Sequence, residues 1–290
     1  MKKLFISLLM CSLIFCFIGC DASDAQQATI IETLPEGTVA VATAEELINA
    51  FSDLKTDDCI LLKSDIDMEG KSLSVVNMRS FTLDGNGHTI SNYKVTDASG
   101  LFVDYCGDRA YTIRNLTLKN CSVISEDDHA ALFVGGARDS DSVLIENCHA
   151  VNCRVSGKKY ASIFISYTAG MDKGNEQTIP MQIIDCSVIN CEVTGGGSTG
   201  IAIGHSGGNQ ITENTIRNLS IKNCTVTGPA SLYEGAVIGT SGSGVTIIEN
   251  VIIENTTLSY NESEGVRSYF GRNLSELIID GVIQDKTVNE

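Results

Sequence analysis

The residues of this 290-residue chain that could do chemistry are acidic side chains, four histidines and eleven cysteines. The densest group is the segment Glu126-Asp127-Asp128-His129, which places carboxylates next to an imidazole that can exchange a proton near neutral pH. Hydrolysis of a glycosidic bond needs two carboxyl groups on either side of that bond, and consecutive residues of one turn do not supply this arrangement. We therefore assign no catalytic residue and predict Asp127, Asp128 and His129 only as a candidate ligand patch.

Two further kinds of segment could bind a metal ion or a sugar. Acidic turns at 126–128 and at Asp139-Ser-Asp141 could attract calcium, but neither has the spacing of a loop that wraps the ion, so solvated turns are favoured. Gly204-His205-Ser206 resembles a fragment of the polygalacturonase pattern without the other motifs of that family. The remaining hint of a ligand surface is a set of tyrosines predicted to lie on loops: Tyr105, Tyr111, Tyr160 and Tyr167. We predict no metal and no cofactor.

The cysteines recur at fixed positions of a repeat. One position holds Cys121, Cys153, Cys191 and Cys224. A second position holds either cysteine or an aliphatic residue: Leu116, Cys148, Cys186, Leu219 and Val251. This exchange indicates an apolar slot in which cysteine acts as a small hydrophobic residue. We favour buried free thiols, although a disulfide between stacked neighbours remains geometrically open in an exported protein. A metal cluster is disfavoured because no histidine or carboxylate shares the slot.

The repeat that carries these cysteines is an eleven-residue phrase that occurs five times between Ile113 and Leu258. Its second copy runs Ile145-Glu-Asn-Cys-His-Ala-Val-Asn-Cys-Arg-Val155. The second asparagine of each copy marks a period of 32, 38, 33 and 32 residues: Asn120, Asn152, Asn190, Asn223 and Asn255. A fixed period of this size indicates a stacked repeat architecture.

Each copy predicts short strands separated by sharp corners. Apolar residues alternate with others, which is typical of half-buried strands, and the runs break at asparagine or aspartate, which tolerate left-handed backbone. An upstream element supplies a further side of each coil: Gly100–Val103, Ala131–Val134, Ser162–Ile165, Gly200–Ile203 and Gly235–Ile238. Because crossovers between parallel strands are overwhelmingly right-handed, we predict an all-β fold, a right-handed parallel β-helix forming a three-sided solenoid of about seven to eight coils.

These phrases resemble those of a known group. The Gly-Leu-Phe-Val and Asn-Cys-x-Val motifs, preceded by Leu83-Asp-Gly-Asn-Gly-His-Thr-Ile90, are similar to bacterial surface proteins with right-handed β-helix repeats, including the GLUG-repeat type and its pectate-lyase-like fold. The resemblance covers about Asp58 to Val288. It implies the β-helix fold and an adhesin-like role, and it brings no catalytic motif to this sequence.

The N-terminus has the anatomy of an export signal. A short basic start is followed by the apolar run Leu4–Ile18, which is too short for a membrane span. The run ends in Phe17-Ile-Gly-Cys20, which resembles a lipobox, so we predict residues 1–19 as a lipoprotein signal peptide and Cys20 as the lipid attachment site. An ordinary signal peptide with an incidental cysteine is the alternative.

The rest of the chain is predicted to be a tether followed by one domain. Residues 20–40 are the lipidated tether, and residues 41–290 form a single β-helix domain with coils at about 58–288. A capping box at Thr43-Ala-Glu-Glu46 precedes apolar residues at helical spacing, which predicts a short N-terminal capping helix over about 43–55. Such a helix would cover the open end of the coil stack.

Charge and motifs together favour a surface protein. The formal net charge of −16 argues against nucleic acid as a partner. We predict a non-enzymatic cell-envelope lipoprotein, adhesin-like or a scaffold, anchored to the membrane through Cys20 at the outer membrane or cell surface. Its partner would be a host or matrix glycan or protein. The alternative is a polysaccharide-binding or polysaccharide-degrading protein of the lyase or glycosidase type.

The anchor can be tested directly. Cells that express the full chain should incorporate labelled fatty acid into it, and Cys20→Ser should abolish the label because the thiol that would carry the acyl group is gone. A label that persists in Cys20→Ser would contradict the anchor.

Overall fold

The computed structural model describes residues 37–73, 79–104, 109–137, 142–168, 179–207, 212–228, 234–242, 244–259, 270–273 and 276–284. The predicted signal peptide, Cys20 and most of the tether lie outside these residues. All described residues belong to one compact unit. Among them, no helix combines the length and the apolar character needed to cross a membrane.

Strands from successive coils stack into four main sheets. Sheet I consists of β1 (Thr38–Val41), β2 (Asp58–Leu62), β4 (Phe81–Asp84), β7 (Ala110–Arg114), β12 (Ser142–Glu146), β17 (Ile179–Ile184), β21 (Thr212–Arg217), β25 (Val245–Glu249), β29 (Glu276–Ile279) and β30 (Val282–Gln284). Sheet II consists of β3 (Ile66–Asp67), β5 (Thr89–Ser91), β8 (Thr117–Lys119), β13 (His149–Val151), β18 (Ser187–Ile189), β22 (Ser220–Lys222) and β26 (Ile252–Glu254).

The remaining strands complete the coil. Sheet III consists of β6 (Lys94–Thr96), β9 (Ser122–Ser125), β14 (Arg154–Gly157), β19 (Glu192–Gly195), β23 (Thr225–Thr227) and β27 (Thr257–Leu258). Sheet IV consists of β11 (Val134–Gly136), β16 (Ile165–Tyr167), β20 (Ile203–Ser206), β24 (Ile238–Ser241) and β28 (Phe270–Asn273). A two-stranded sheet pairs β10 (Ala130–Ala131) with β15 (Ala161–Ser162).

The predicted parallel β-helix is confirmed. The number of sides differs from the predicted three: each central coil passes through sheets I, II, III and IV in turn. The eleven-residue phrase contains two corners and yields three strands, and the Leu-Phe-Val element adds a fourth. Neighbouring strands in sheets II, III and IV are parallel and in register, as in the pairing of Arg154 with Ser122 below and Glu192 above.

Left-handed backbone at single residues makes the corners. The corner residues between sheets I and II, and between sheets II and III, have φ between 48° and 58°: Asn92, Asn115, Asn120, Asn147, Asn152, Asp185, Asn190, Asn218, Asn223, Asn250 and Asn255. At the second corner each asparagine Nδ2 donates to the Oδ1 of the residue one coil earlier, over 3.0–3.4 Å, from Asn255 down to Asp67. The second corner therefore forms a continuous side-chain ladder.

The interior is a column of apolar side chains. Sheet I contributes one isoleucine per coil, each at most 1% exposed: Ile113, Ile145, Ile183, Ile216 and Ile248. Across the core, Phe133 stacks on Phe164 with ring centroids 5.3 Å apart. Burying a side chain of this size stabilises the fold by roughly 1.5–3 kcal/mol, so every coil adds to the same core.

The cysteines stand in files, as predicted. The register of sheet III places Cys121, Cys153, Cys191 and Cys224 directly above one another, and all are buried free thiols. Cys148 and Cys186 stack in the apolar slot with Leu116 and Leu219. Burial raises the pKa of the Cys186 thiol to about 12, so it stays protonated at neutral pH.

A short helix covers the N-terminal end. Helix α1 (Ala44–Ser52) begins after Thr43, whose hydroxyl accepts from the Glu46 amide while the Glu46 side chain caps Thr43 in return. Its buried face ends in Phe51, whose ring packs on Phe81 and Phe102 at 5.7 and 5.9 Å. The predicted capping helix is thus present, and it ends slightly earlier than expected.

The C-terminal end differs from the prediction that parallel coils continue to about residue 288. Strand β30 pairs antiparallel with β29, because Asp280 and Gly281 both adopt left-handed backbone, with φ of 46° and 78°, and form a two-residue hairpin turn. The hairpin leaves Val282 and Ile283 more than 60% exposed.

The inward and outward assignments can be tested by one matched pair of substitutions. Val188 is fully buried and Thr225 is exposed on the next coil. Val188→Asp should destabilise the domain by about 3–5 kcal/mol, because it buries an unpaired charge. Thr225→Asp should cost less than about 1 kcal/mol. Urea unfolding followed by circular dichroism measures both, and equal losses would show that the two faces are misassigned.

Candidate functional site

The outer wall of sheets I and II carries ion pairs between coils. Arg217 and Glu249 occupy the same repeat position on neighbouring coils and pair over 2.5 Å. Arg114 and Glu146 are related by the repeat in the same way and are in register, but Arg114 Nε lies 2.8 Å from Asp84 on the preceding coil. Asp84 is nearly buried, and although burial alone would raise the pKa of its carboxyl, hydrogen bonds from Asn115, the Asn86 amide and Arg114 lower it. A carboxylate held in this way is the better partner for Arg114.

One imidazole and one hydroxyl meet on the wall of sheet II. His149 Nδ1 lies 2.8 Å from Ser187 Oγ on the next coil. At this distance a histidine can act as the base for a hydroxyl nucleophile. No described carboxylate, however, hydrogen-bonds to the other nitrogen of the imidazole. We treat it as part of the wall.

The predicted ligand patch lies in the turn between β9 and β10, and its three members differ. Asp127 has a side chain 97% exposed and pairs with Lys158 over 3.3 Å. Asp128 Oδ1 lies 3.0 Å from Lys159 Nζ and 2.7 Å from His129 Nδ1. Asp128 Oδ1 and His129 Nδ1 are not aligned for a hydrogen bond. His129 is 9% exposed. Asp128 and His129 therefore belong to one arrangement, and Asp127 stands in solvent beside it.

His129 is one of four near-parallel rings, which we call the ring cluster: His129, Tyr160, Tyr167 and His205. Ring centroids lie 5.9 Å apart for His129 and Tyr160, and 5.2 Å apart for His129 and Tyr167. The two tyrosines are separated by 5.3 Å. His205 lies 4.6 Å from Tyr160 and 5.7 Å from Tyr167, and all these ring planes are within 23° of one another.

The coil geometry brings these rings together. His129 and Tyr160 immediately precede the paired strands β10 and β15, while Tyr167 and His205 are direct partners in sheet IV. Within a coil the chain bends between the two strands, so a residue before the first strand lies close to a residue at the end of the second. Tyr160, before β15, and Tyr167, at the end of β16, meet in this way. Gly204 permits the approach, because a Cβ there would lie only 2.7–3.1 Å from backbone atoms of Ser166 and Ala161. The rings span three successive coils.

Both imidazoles of the ring cluster have a pKa below the ordinary value for histidine. Burial lowers the pKa of His129, and the neighbouring Asp128 carboxylate only partly opposes this. Burial, with a smaller contribution from the positive charge His129 would carry, lowers the pKa of His205 to about 4. Tyr160, Tyr167 and His205 are each partly exposed, so the cluster is open to solvent. The arrangement offers aromatic surface with polar ring atoms at its edges.

The sequence indicated parts of this cluster without joining them. Tyr160 and Tyr167 were noted as loop residues, but Tyr167 lies in β16. Tyr111, expected on a loop, is a core residue of β7, 1% exposed and packed edge-on against Phe81. Tyr105 lies outside the described residues. Alignment of the repeats could have found the cluster, because Ile165-Ser-Tyr167 and Ile203-Gly-His205 occupy the same repeat position.

A shallow cavity of about 530 Å³ is lined by Glu69, Gly70, Lys71, Ser72, Asn92 and Lys94. In the described ranges, no group of three or more histidine, cysteine or acidic side chains is placed to hold a metal ion. The acidic turn Asp139-Ser-Asp141 lies outside those ranges.

The lowered pKa of His205 gives a pH prediction. The folded pKa of about 4 lies below the unfolded value of roughly 6.5, so the contribution of His205 to stability is complete above pH 6.5 and is lost as the pH falls towards 4. Between pH 7.5 and 5 the wild type should lose about 1–2 kcal/mol more than His205→Phe, after allowance for the ring's partial exposure. Urea midpoints across this range measure the difference, and parallel slopes would contradict it.

The fold can be compared with known proteins. Residues 38–264 match the family described as a "putative pectate lyase-like adhesive domain". A Bacteroides ovatus crystal structure described as a "putative immunoglobulin A1 protease" superimposes with a TM-score of 0.57 and 19% identity, over 87% of this chain and 80% of that chain. At this identity the likeness concerns the fold alone. No curated protein sequence matches the chain. Because the match extends over most of its length, the chain belongs to the pectate lyase-like adhesive domain family.

Proposed function

We propose that this protein is a non-catalytic adhesive β-helix of the bacterial cell envelope, which binds a glycan or protein of a host or matrix. The observation that carries the proposal is membership of a family described as adhesive. An adhesive protein must hold its binding surface rigidly at a distance from the cell. The stacked coils provide such a surface.

The walls of the coil support this role. The outward column of sheet II contains small polar residues at Thr117, Ser187 and Ser220, together with His149 and the exposed Ile252. Inter-coil ion pairs and asparagine ladders fix the side chains of the wall. Because neighbouring strands are about 4.8 Å apart, a partner can meet equivalent groups on successive coils. The net charge of −16 keeps this surface soluble.

Attachment to the cell is the second part of the proposal. The predicted signal peptide and the cysteine at position 20 support export and lipid anchoring, and an adhesive family fits a location at the cell surface. The predicted tether, residues 20–40, would then join the lipid to the β-helix. The GLUG type of the repeat is likewise an inference from the sequence phrases.

The alternative is a polysaccharide-degrading enzyme, and one contact favours it. Asp128 Oδ1 lies 2.7 Å from His129 Nδ1, so a carboxylate and an imidazole share one turn. The name given to the Bacteroides ovatus protein concerns that protein. The wide separation in sequence makes its activity no guide to this chain.

Adhesion by displaying cells tests the proposal. Cells that express the full chain should bind mucin-coated or collagen-coated surfaces several-fold more than cells without it. Val188→Asp should reduce adhesion to background because the coils do not form, and Thr225→Asp should retain it. Equal adhesion by cells with and without the chain would contradict the proposal.

An activity assay separates the alternative. The purified full chain is incubated with neutral and acidic polysaccharides, and reducing ends and unsaturated products are measured. We expect no product above the buffer control. Product formation that disappears in the triple variant Asp127→Asn, Asp128→Asn, His129→Gln would establish the enzyme instead.

A further inference from the structure

We propose that the ring cluster is a binding site for a neutral glycan chain, whose sugar rings pack on the aromatic surface while their hydroxyls bond to the ring edges. This inference rests on the proposed adhesive function and names the class of partner. The site consists of His129, Tyr160, Tyr167 and His205, with Asp128 and Lys159 at its border.

The first observation is that the cluster is separate from the core. The protein already contains a buried aromatic file, in which Phe102, Phe133 and Phe164 are fully inaccessible to solvent. The rings of Tyr160, Tyr167 and His205 are stacked against each other and yet remain partly exposed. A chain with no tryptophan and eight tyrosines concentrates two tyrosines and half of its histidines at this place. Stacked aromatic rings left open to solvent are typical of binding surfaces.

The second observation concerns hydrogen bonding. Tyrosine hydroxyls and neutral imidazoles both donate and accept, which suits the hydroxyl groups of sugars. Burial favours the neutral form of both histidines, so each ring carries one donor nitrogen and one acceptor nitrogen, of which His129 Nδ1 is itself buried. The rings extend over three coils, a height of about 10 Å. This length accommodates more than one sugar unit along the axis of the β-helix.

Charge decides between neutral and acidic glycans. The carboxylates beside the cluster are each matched by a lysine, Asp127 by Lys158 and Asp128 by Lys159. The site therefore has no surplus positive charge with which to attract uronic acids. The chain as a whole carries a net charge of −16, which repels an acidic polymer at low ionic strength. A neutral chain meets no such opposition.

The experiment measures binding of the full chain, purified in detergent, to laminarin, mannan and polygalacturonate by isothermal titration calorimetry. At least one of the two neutral polymers should bind, and more tightly than polygalacturonate. Tyr167→Ala should weaken that binding at least tenfold, and Tyr160→Ala similarly. Tyr160→Phe, which keeps the ring and removes the hydroxyl, should weaken it less. His88→Ala is the matched control, because it removes a partly exposed imidazole from the turn before β5, on an earlier coil than the ring cluster, and should leave affinity unchanged.

A second measurement needs no variant. Because the chain has no tryptophan, its intrinsic fluorescence comes from tyrosine, and binding at the cluster should change that emission in the wild type. Binding that is unaffected by both alanine variants, or that leaves the emission unchanged, would overturn the site. Preference for polygalacturonate would overturn the neutral class. Adhesion of displaying cells without binding of either neutral polymer would refute this inference and leave the adhesive function standing, whereas glycan binding without adhesion would do the reverse.

Discussion

The left-handed corner is the constraint on which the rest of this structure depends. A strand can end and restart in a new direction after a single residue only if that residue accepts positive φ, and asparagine does so at most of the corners between sheets I, II and III. The same side chain then bonds to its counterpart one coil away. One residue type thus sets both the direction of the chain within a coil and the registration between coils. The inward files of isoleucine, valine and cysteine follow from that registration.

Regular corners account for what the sequence predicted well. The spacing of Asn120, Asn152, Asn190 and Asn223 is sufficient to place Cys121, Cys153, Cys191 and Cys224 in one file, because identical backbone bends bring identical offsets to the same point in space. The capping helix was visible in the sequence for a different reason, since the capping box at Thr43 and Glu46 is a purely local interaction. Local rules and strict periodicity are the two kinds of information that survive in a single sequence.

The parts that were missed depend on contacts between segments of different type. The ring cluster joins residues before β10 and β15 with residues inside β16 and β20, and the turn that brings them together is a close backbone approach at Gly204. The repeat pattern aligns Tyr167 with His205, but it does not predict that close approach of the backbone. Arg114 likewise pairs with Asp84 and not with Glu146, because hydrogen bonds from Asn86 and Asn115 hold the Asp84 carboxylate in place. At the C-terminal end, Asp280 and Gly281 formed a hairpin where the pattern of apolar residues favoured another coil.

The asparagine ladders also have a direction. Every amide nitrogen in them points towards the N-terminal coil, and each ladder begins on a carboxylate that can only accept, at Asp67 for one corner and at Asp84 for the other. At the corner between sheets I and II, Asp185 interrupts the ladder and starts it again, with Asn218 as its donor. A partly wound β-helix therefore ends in an unoccupied hydrogen-bond acceptor on the side to which the next coil is added. Such an end allows coils to be added one after another from the N-terminal side, each onto hydrogen-bond acceptors that are already in place.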